Sequence, residues 1–190
     1  VIFVTNAIGN WSGGNSLLIS LGFALANTLE PALAAWVLTY FFKSKITFER
    51  TMEVCALLFV ATLINSITAF LGATVSMLAF HGSFMDGWLI WWAADGLGII
   101  LVTPVIVSWA ANKSVFPLAP SRQIMEMALL VLILAIFTWL LFGSFTVAEE
   151  PLLRNYMFFP LLIWLAFRFT SRGVETTLLL VSGIAIWGTL

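Results

Sequence analysis

The sequence predicts an all-α, polytopic integral membrane bundle with about six to seven membrane segments. Three observations carry that prediction. Of the 190 residues, 62% are hydrophobic and only 9% are charged, 8 Lys or Arg against 9 Asp or Glu, where a soluble domain carries about a quarter charged residues. The mean hydropathy is +1.08, with 17 Phe and 9 Trp, a surface too apolar to stay dispersed in water. The apolar residues form continuous runs of span length, not the alternating pattern of barrel strands. Together these exclude a soluble enzyme domain and a secreted disulfide scaffold. The net charge of -1 offers no field for nucleic acid. Cys55 is the single cysteine, so no intrachain disulfide forms.

The elements follow from turn and charge punctuation. Val1 to Ile8 is too short to cross about 30 Å of hydrocarbon and reads as the tail of a helix that begins earlier. Gly9 to Asn15 is a loop on composition, and Leu17 to Phe42 is the first full span. The charged patch Lys43 to Glu53 leads into a second span, Val54 to Phe80, and the loop His81 to Asp86 into a third, Trp88 to Ala111. The polar link Asn112 to Arg122 precedes Ile124 to Phe142. After a loop with Glu149, Glu150 and Arg154 comes a short crossing, Tyr156 to Phe169. A last apolar run follows Arg172 and reaches Leu190, so residues 1–190 read as one helical domain cut from a larger chain. Lys43, Lys45, Arg50, Lys113, Arg122, Arg168 and Arg172 then fall on one side of the membrane. The positive-inside rule makes that side cytoplasmic and puts the Gly13-Gly14, His81 and Glu149 loops outside.

A charge near the bilayer centre costs about 2.5–3.5 kcal/mol on insertion scales, so the acids kept inside need partners or water. Glu30 and Asp95 are such residues. Ser20, Ala24, Asn27, Glu30 and Ala34 recur at helical spacing, a polar and small stripe that must face protein or water. Pro31 removes a backbone bond beside Glu30 and predicts a kink. Two readings stand for Asn27 and Glu30: hydrogen bonds to neighbouring helices, or a ligand or switch role. Thr62, Asn65, Ser66, Ala69, Gly72, Ala73 and Ser76 make a small-residue packing seam.

Trp88, Trp91 and Asp95 share a helix face that Trp92 borders. An acid walled by indoles suits a cation or amine, although Trp88 also fits an interfacial aromatic belt. Gly96 and Gly98 offer close approach to a helix or ligand at the depth of Asp95, and Pro104 allows a bend below. Arg168, one turn after Trp164, is the natural counter-ion for Asp95; two readings stand for it, a side chain that snorkels at the cytoplasmic end of its span or, since Glu30 is nearer to it in depth, a Glu30–Arg168 pair. His81 is the lone histidine and reads as loop. No metal cluster, catalytic nucleophile with a base, phosphate loop or CxxC pair is evident, so neither cofactor nor catalysis is expected.

Ala26-Asn27-Thr28-Leu29-Glu30, Trp91-Trp92-Ala93-Ala94-Asp95-Gly96-Leu97-Gly98 with Thr103-Pro104, and Pro160 to Phe169 with Trp164 and Arg168 occur in this order. In these blocks the chain resembles the first type of membrane-associated sensor domain, the MASE family of bacteria. Ala26 stands where the family usually has glycine. The resemblance implies that the family's first helix, most of its second and its final helix lie outside this chain. It also implies an input domain in the bacterial inner membrane, attached to a histidine kinase or a cyclic-di-GMP synthase or phosphodiesterase. Its motif residues carry over to Asn27, Glu30, Trp92, Asp95, Gly98, Trp164 and Arg168 as signal-sensing or core-network positions; Trp91 joins them from the helix-face argument. The partners expected are the lipid bilayer, an unidentified small ligand or partner membrane protein, and a second copy where the domain dimerises. No nucleic acid is expected. A transport or substrate-capture subunit is the alternative reading, and a dimerising membrane anchor a third.

Overall fold

The computed structural model describes residues 1–43, 45–110, 121–142 and 158–189, and all regular structure among them is helical. The helices are α1 (Ile2–Ser12), α2 (Leu17–Phe41), α3 (Thr51–Phe59), a π-helical turn (Val60–Ile64), α4 (Asn65–Phe80), α5 (Phe84–Ala110), α6 (Ser121–Phe142), α7 (Phe158–Arg168) and α8 (Ser171–Thr189). Four of the described segments are long and apolar enough to cross a membrane: Leu17–Phe41, Thr51–Phe80, Phe84–Ala110 and Ser121–Phe142. Phe158–Arg168 is a shorter apolar helix, so the six to seven segments expected are a loose count. The expected connections holding Lys113, Glu149, Glu150, Arg154 and Tyr156 lie outside the described residues.

Several boundaries are corrected: α3 begins at Thr51, inside the expected charged patch, and α5 at Phe84, inside the expected loop His81 to Asp86. The expected loop from Gly9 is helical as far as Ser12, and the turn is confined to Gly13 to Asn15, with Gly14 at φ 94°. Backbone hydrogen bonding runs on through Gly9, whose carbonyl accepts from the Gly13 amide at 3.0 Å. Ser16 caps α2, its hydroxyl accepting from the Ile19 amide at 3.4 Å. His81 closes α4 in the left-handed region at φ 55°, a capping role that suits its exposed position.

The chain folds as two compact units, Val1–Thr103 and Pro104–Leu190, with α5 contributing to both. In the first unit α2 packs on α1, α4 and the π turn. Ala24 on α2 and Ala69 and Ala73 on α4 are fully buried, as the small-residue seam predicts, because small side chains let apolar helices approach in lipid. Gly72 has a sharper task. A Cβ there would come within 2.5 Å of the Trp91 indole, so the missing side chain is the slot that seats this ring. Trp91 stacks in turn on Phe23 of α2, centroids 5.7 Å apart and planes 10° apart.

The α4–α5 joint is polar at its centre. Trp88 Nε1 donates to the Ser66 carbonyl at 3.1 Å, Trp91 Nε1 to Ser76 Oγ at 3.0 Å and Trp92 Nε1 to the Thr62 carbonyl at 2.8 Å. Asn65, 1% exposed, bridges the carbonyls of Ala61 at 3.2 Å and Trp92 at 2.8 Å with its Nδ2. The π turn presents Ala61 and Thr62 to these donors, a re-aiming of carbonyls that a regular α-helix would keep within its own ladder. Gly96 completes the fit, since a Cβ there would meet the Ala61 carbonyl oxygen at 2.9 Å.

In the second unit Leu130 and Leu134 of α6 and Leu165 of α7 form the core, packed by Phe158, Leu161 and Val174 among others. Thr138 and Thr177 are buried and return their hydroxyls to the carbonyls of Leu134 and Gly173, both at 2.7 Å. That internal bond removes the cost of a lone hydroxyl in oil. Elsewhere the spans turn Leu18, Leu25, Trp36, Ile90, Ile106 and Leu132 outward, a surface suited to acyl chains.

The glycine slot yields a prediction. Gly72→Ala lowers the stability of the purified domain by about 1–3 kcal/mol, the range for overpacking a filled site. Gly98→Ala, where a Cβ meets nothing within 4 Å, does not. Thermal unfolding in detergent, followed by tryptophan fluorescence, compares the two.

Candidate functional site

The stripe on α2 is buried at its N-terminal end and partly buried beyond it. Ser20 and Ala24 are 0% exposed, while Asn27, Glu30 and Ala34 are partly buried. Asn27 Nδ2 donates to Asn6 Oδ1 at 2.8 Å, tying α2 to α1. Thr28 returns its hydroxyl to the Ala24 carbonyl at 2.6 Å and so leaves no lone donor beside it. Pro31 lies inside α2, and the helix continues beyond it to Phe41.

Glu30 on α2 and Asp95 on α5 are both partly buried and close enough for the charge of Asp95 to act on Glu30. Among the described residues, no hydrogen bond or ion pair holds either carboxyl. Two acids on the apolar spans α2 and α5 thus lie within electrostatic range of each other, where a charge is costly to keep. Such a pair repels itself when both members are ionised, and binding a proton or a cation relieves that repulsion. Chemically, the arrangement can hold positive charge or a proton between two helices.

The indoles are placed differently from the expected wall around an acid. Trp91 fills the Gly72 slot, and Trp88 and Trp92 stack on each other with centroids 6.1 Å apart while bonding α4 and π-turn carbonyls. They position α5, and with it Asp95, against α4. Gly98 departs from expectation too. It borders open space, and the close approach foreseen at this level falls to Gly96 alone, because the two glycines point to faces of α5 about 160° apart (two residues at about 100° each).

Arg168 requires a correction. Its partner is Glu126 of α6, not Glu30: Arg168 Nε meets Glu126 Oε1 at 2.9 Å and Nη2 meets Oε2 at 3.0 Å, a two-pronged contact. Trp164 and Arg122 stand within reach of the same carboxylate. The physical reason is depth and register. Glu126 lies in the second turn of α6, beside the end of α7 where Arg168 sits, and a planar guanidinium matches a carboxylate fork. Trp164 and Arg168 therefore belong to the Pro104–Leu190 unit, whereas Asn27, Glu30, Trp91, Trp92, Asp95 and Gly98 belong to the Val1–Thr103 unit. Among the described residues, no group of three or more His, Cys, Asp or Glu is placed to hold a metal.

Three residues of these networks escape or are undervalued by the sequence reading. Asn6 is hidden in a run that reads as an apolar tail; its spacing of four from Asn10 is the signal. Asn65 stands in the sequence only as part of the small-residue seam, yet it is the buried bridge to α5. Glu126 draws no notice by itself, although it shares the basic end of its span with Arg122.

A chain of long apolar helices, four of them able to cross a membrane, that bring polar side chains together is of the class of helical membrane domains. The MASE1 profile, that of a membrane-associated sensor domain, matches residues 1–190. The chain belongs to the MASE1 family. No curated protein and no solved structure matches it.

The Arg168 contact is checked by charge reversal. Glu126→Arg or Arg168→Glu alone sets like charges face to face and lowers the thermal midpoint; the double reversal regains most of the loss. A double variant as impaired as the sum of the singles would show that the contact contributes nothing.

Proposed function

We propose that residues 1–190 act as one sensory input domain of a bacterial signal-transduction protein, multi-pass in the inner membrane with its basic connections in the cytoplasm. The output is a histidine kinase or a cyclic-di-GMP synthase or phosphodiesterase, and the domain itself performs no catalysis. Membership of MASE1, a membrane sensor domain, supports the sensory role. The observation that carries the mechanism is the convergence of Glu30 and Asp95 from two helices, with no basic partner among the described residues.

A small ligand or a partner membrane protein binds from the outer side or within the bilayer and favours one packing of α2 against α5. Only a difference in affinity between the two packings moves the equilibrium, about 1.4 kcal/mol for each tenfold. The acid pair supplies a difference of that kind, because drawing the carboxyls together costs free energy that bound positive charge returns. Pro31 in α2 is the place where the backbone yields. Asn27, Trp91, Trp92 and Gly98 shape the surroundings of the pair, Trp164 and Arg168 hold the basic end of α7, and a homodimer carries the change to the output.

Asp95→Asn in the full-length protein removes one of the two charges. The variant inserts normally and its output is locked or responds at least about tenfold less to the stimulus, a shift of about 1.4 kcal/mol in the packing equilibrium. Output assays on membranes, with insertion checked by immunoblot, decide it; a normal response from the inserted variant removes Asp95 from the mechanism.

A further inference from the structure

The outer part of α1 carries a groove that the acid pair does not include. Thr5, Asn6, Gly9, Asn10, Gly13 and Asn15 line it, with a volume of about 360 Å³. All six are uncharged, three are carboxamides, and Gly9 and Gly13 contribute no side chain to fill it. The amides follow one another down the helix. Asn15 Nδ2 donates to Asn10 Oδ1 at 3.4 Å, Asn10 Nδ2 to the Asn6 carbonyl at 3.0 Å, and Asn27 Nδ2 to Asn6 Oδ1 at 2.8 Å. Asn15 lies in the turn after α1 and Asn6 nine residues back, a descent of roughly 13 Å. Glu30 follows Asn27 by three residues, the next polar position on the same face of α2, and is within reach of the charge on Asp95.

A row of amides with spare donors and acceptors is unstable against hydrocarbon at that depth. It is stable against water. Each carboxamide in the row keeps hydrogen-bonding capacity beyond the bond it makes to its neighbour, which is what a passing hydrophilic solute exchanges for its own hydration. The acids at the inner end add selection by charge. A carboxylate at this end draws in cations and repels anions.

We propose that the amide groove on α1 is a hydrated mouth through which small hydrophilic solutes, neutral or cationic but not anionic, reach Asn27 and Glu30 from the outer side. This rests on the membrane orientation in the sensory reading. It does not depend on any output activity.

Thiol labelling of the full-length protein in intact cells tests it. In a Cys55→Ser background, single cysteines replace Asn15, Gly9, Asn27 and, as a lipid-facing control beside Asn27, Leu25, which is 48% exposed. The probes are membrane-impermeant methanethiosulfonates, one with a trimethylammonium group and one with a sulfonate. Asn15→Cys and Gly9→Cys react with both reagents, and Leu25→Cys with neither. Asn27→Cys reacts with the cationic reagent, and its cationic-to-anionic rate ratio exceeds that of Asn15→Cys by roughly tenfold, as a focused negative potential requires. Adding Asn10→Leu to Asn27→Cys slows the labelling several-fold. Gly9→Cys breaks no hydrogen bond and has no atom within 4 Å of its Cβ, so it reports on the groove even where Asn27→Cys disturbs α2.

A Gly9→Cys as inert as Leu25→Cys overturns the hydrated mouth. Equal rates of the two reagents at Asn27→Cys, or indifference to Asn10→Leu, overturns the selective path. The sensory assignment is judged separately by the Asp95→Asn output assay, so either can fail while the other stands.

Discussion

One constraint governs this protein: a polar group placed in oil must find its partner inside the protein, because lipid supplies none. Most of the described polar side chains on the spans obey it locally. Thr28, Thr62, Thr74, Thr138 and Thr177 each return a hydroxyl to a carbonyl four residues back. These bonds make no connection between helices; they let an otherwise apolar rod carry a hydroxyl at small cost. What remains is a set of groups that reach beyond their own helix or find no donor among the described residues: the indole N–H groups of Trp88, Trp91 and Trp92, the amides of Asn27 and Asn65, and the carboxyls of Glu30, Asp95 and Glu175, the last with a buried oxygen that accepts no hydrogen bond. Their partners decide which helices meet and at what register.

The α4–α5 joint shows how. Apolar packing alone would let two such rods slide and rotate, since lipid is as good a neighbour as leucine. Three indole donors and Asn65 remove that freedom, because each has its acceptor at one height. Net hydrogen bonds of this kind contribute about 1 kcal/mol each, and a lost partner costs about 1–3 kcal/mol through the group left unsatisfied. The alternatives to the observed register are therefore penalised several times over. The π turn belongs to the same solution, for the Thr62 carbonyl within it accepts from Trp92 of α5, while the Ala61 carbonyl accepts from Asn65, which in turn reaches the Trp92 carbonyl. Gly96 and Gly72 then act by absence, one clearing the Ala61 carbonyl and the other seating Trp91.

How much of this is legible in the sequence follows from the same distinction. Spans are legible because hydrophobicity is summed over some twenty residues, and Leu17, Phe80 and Phe142 stand where charge and turn residues place the boundaries. The polar stripe on α2 and the small-residue seam on α4 are legible because helical period alone puts those residues on one face. Partner choice is not. Whether Arg168 meets Glu30 or Glu126 depends on depth to within a turn and on the rotation of two helices, neither of which hydropathy encodes. Gly96 and Gly98 look equivalent in the chain, yet two residues of rotation send one into a packed seam and the other into open space. Asn6 is concealed for a simpler reason: a single amide barely lowers the hydropathy of its neighbours, so a run scored by average reads as apolar.

The groups that escape the constraint are the ones to which the proposed sensory reading assigns the signal. Asn65 and the three indoles are fully engaged, which makes the α4–α5 joint rigid and leaves nothing there for a ligand to change. Glu30 and Asp95 are the opposite case, brought together from α2 and α5 yet held by no donor among the described residues. A network with all its bonds made has one low-energy arrangement, whereas two like groups left facing each other have their energy lowered either by a guest between them or by moving apart. The first outcome holds α2 near α5; the second separates them. On the proposed sensory reading, the bonds that tie α5 to α4 pass motion at the acid pair on as displacement of α2 about Pro31, rather than losing it as rotation of α5 alone. The rigid joint is thus what makes the soft one informative: without a fixed reference, a change of charge inside the bundle would be absorbed by local side-chain movement and would carry no direction.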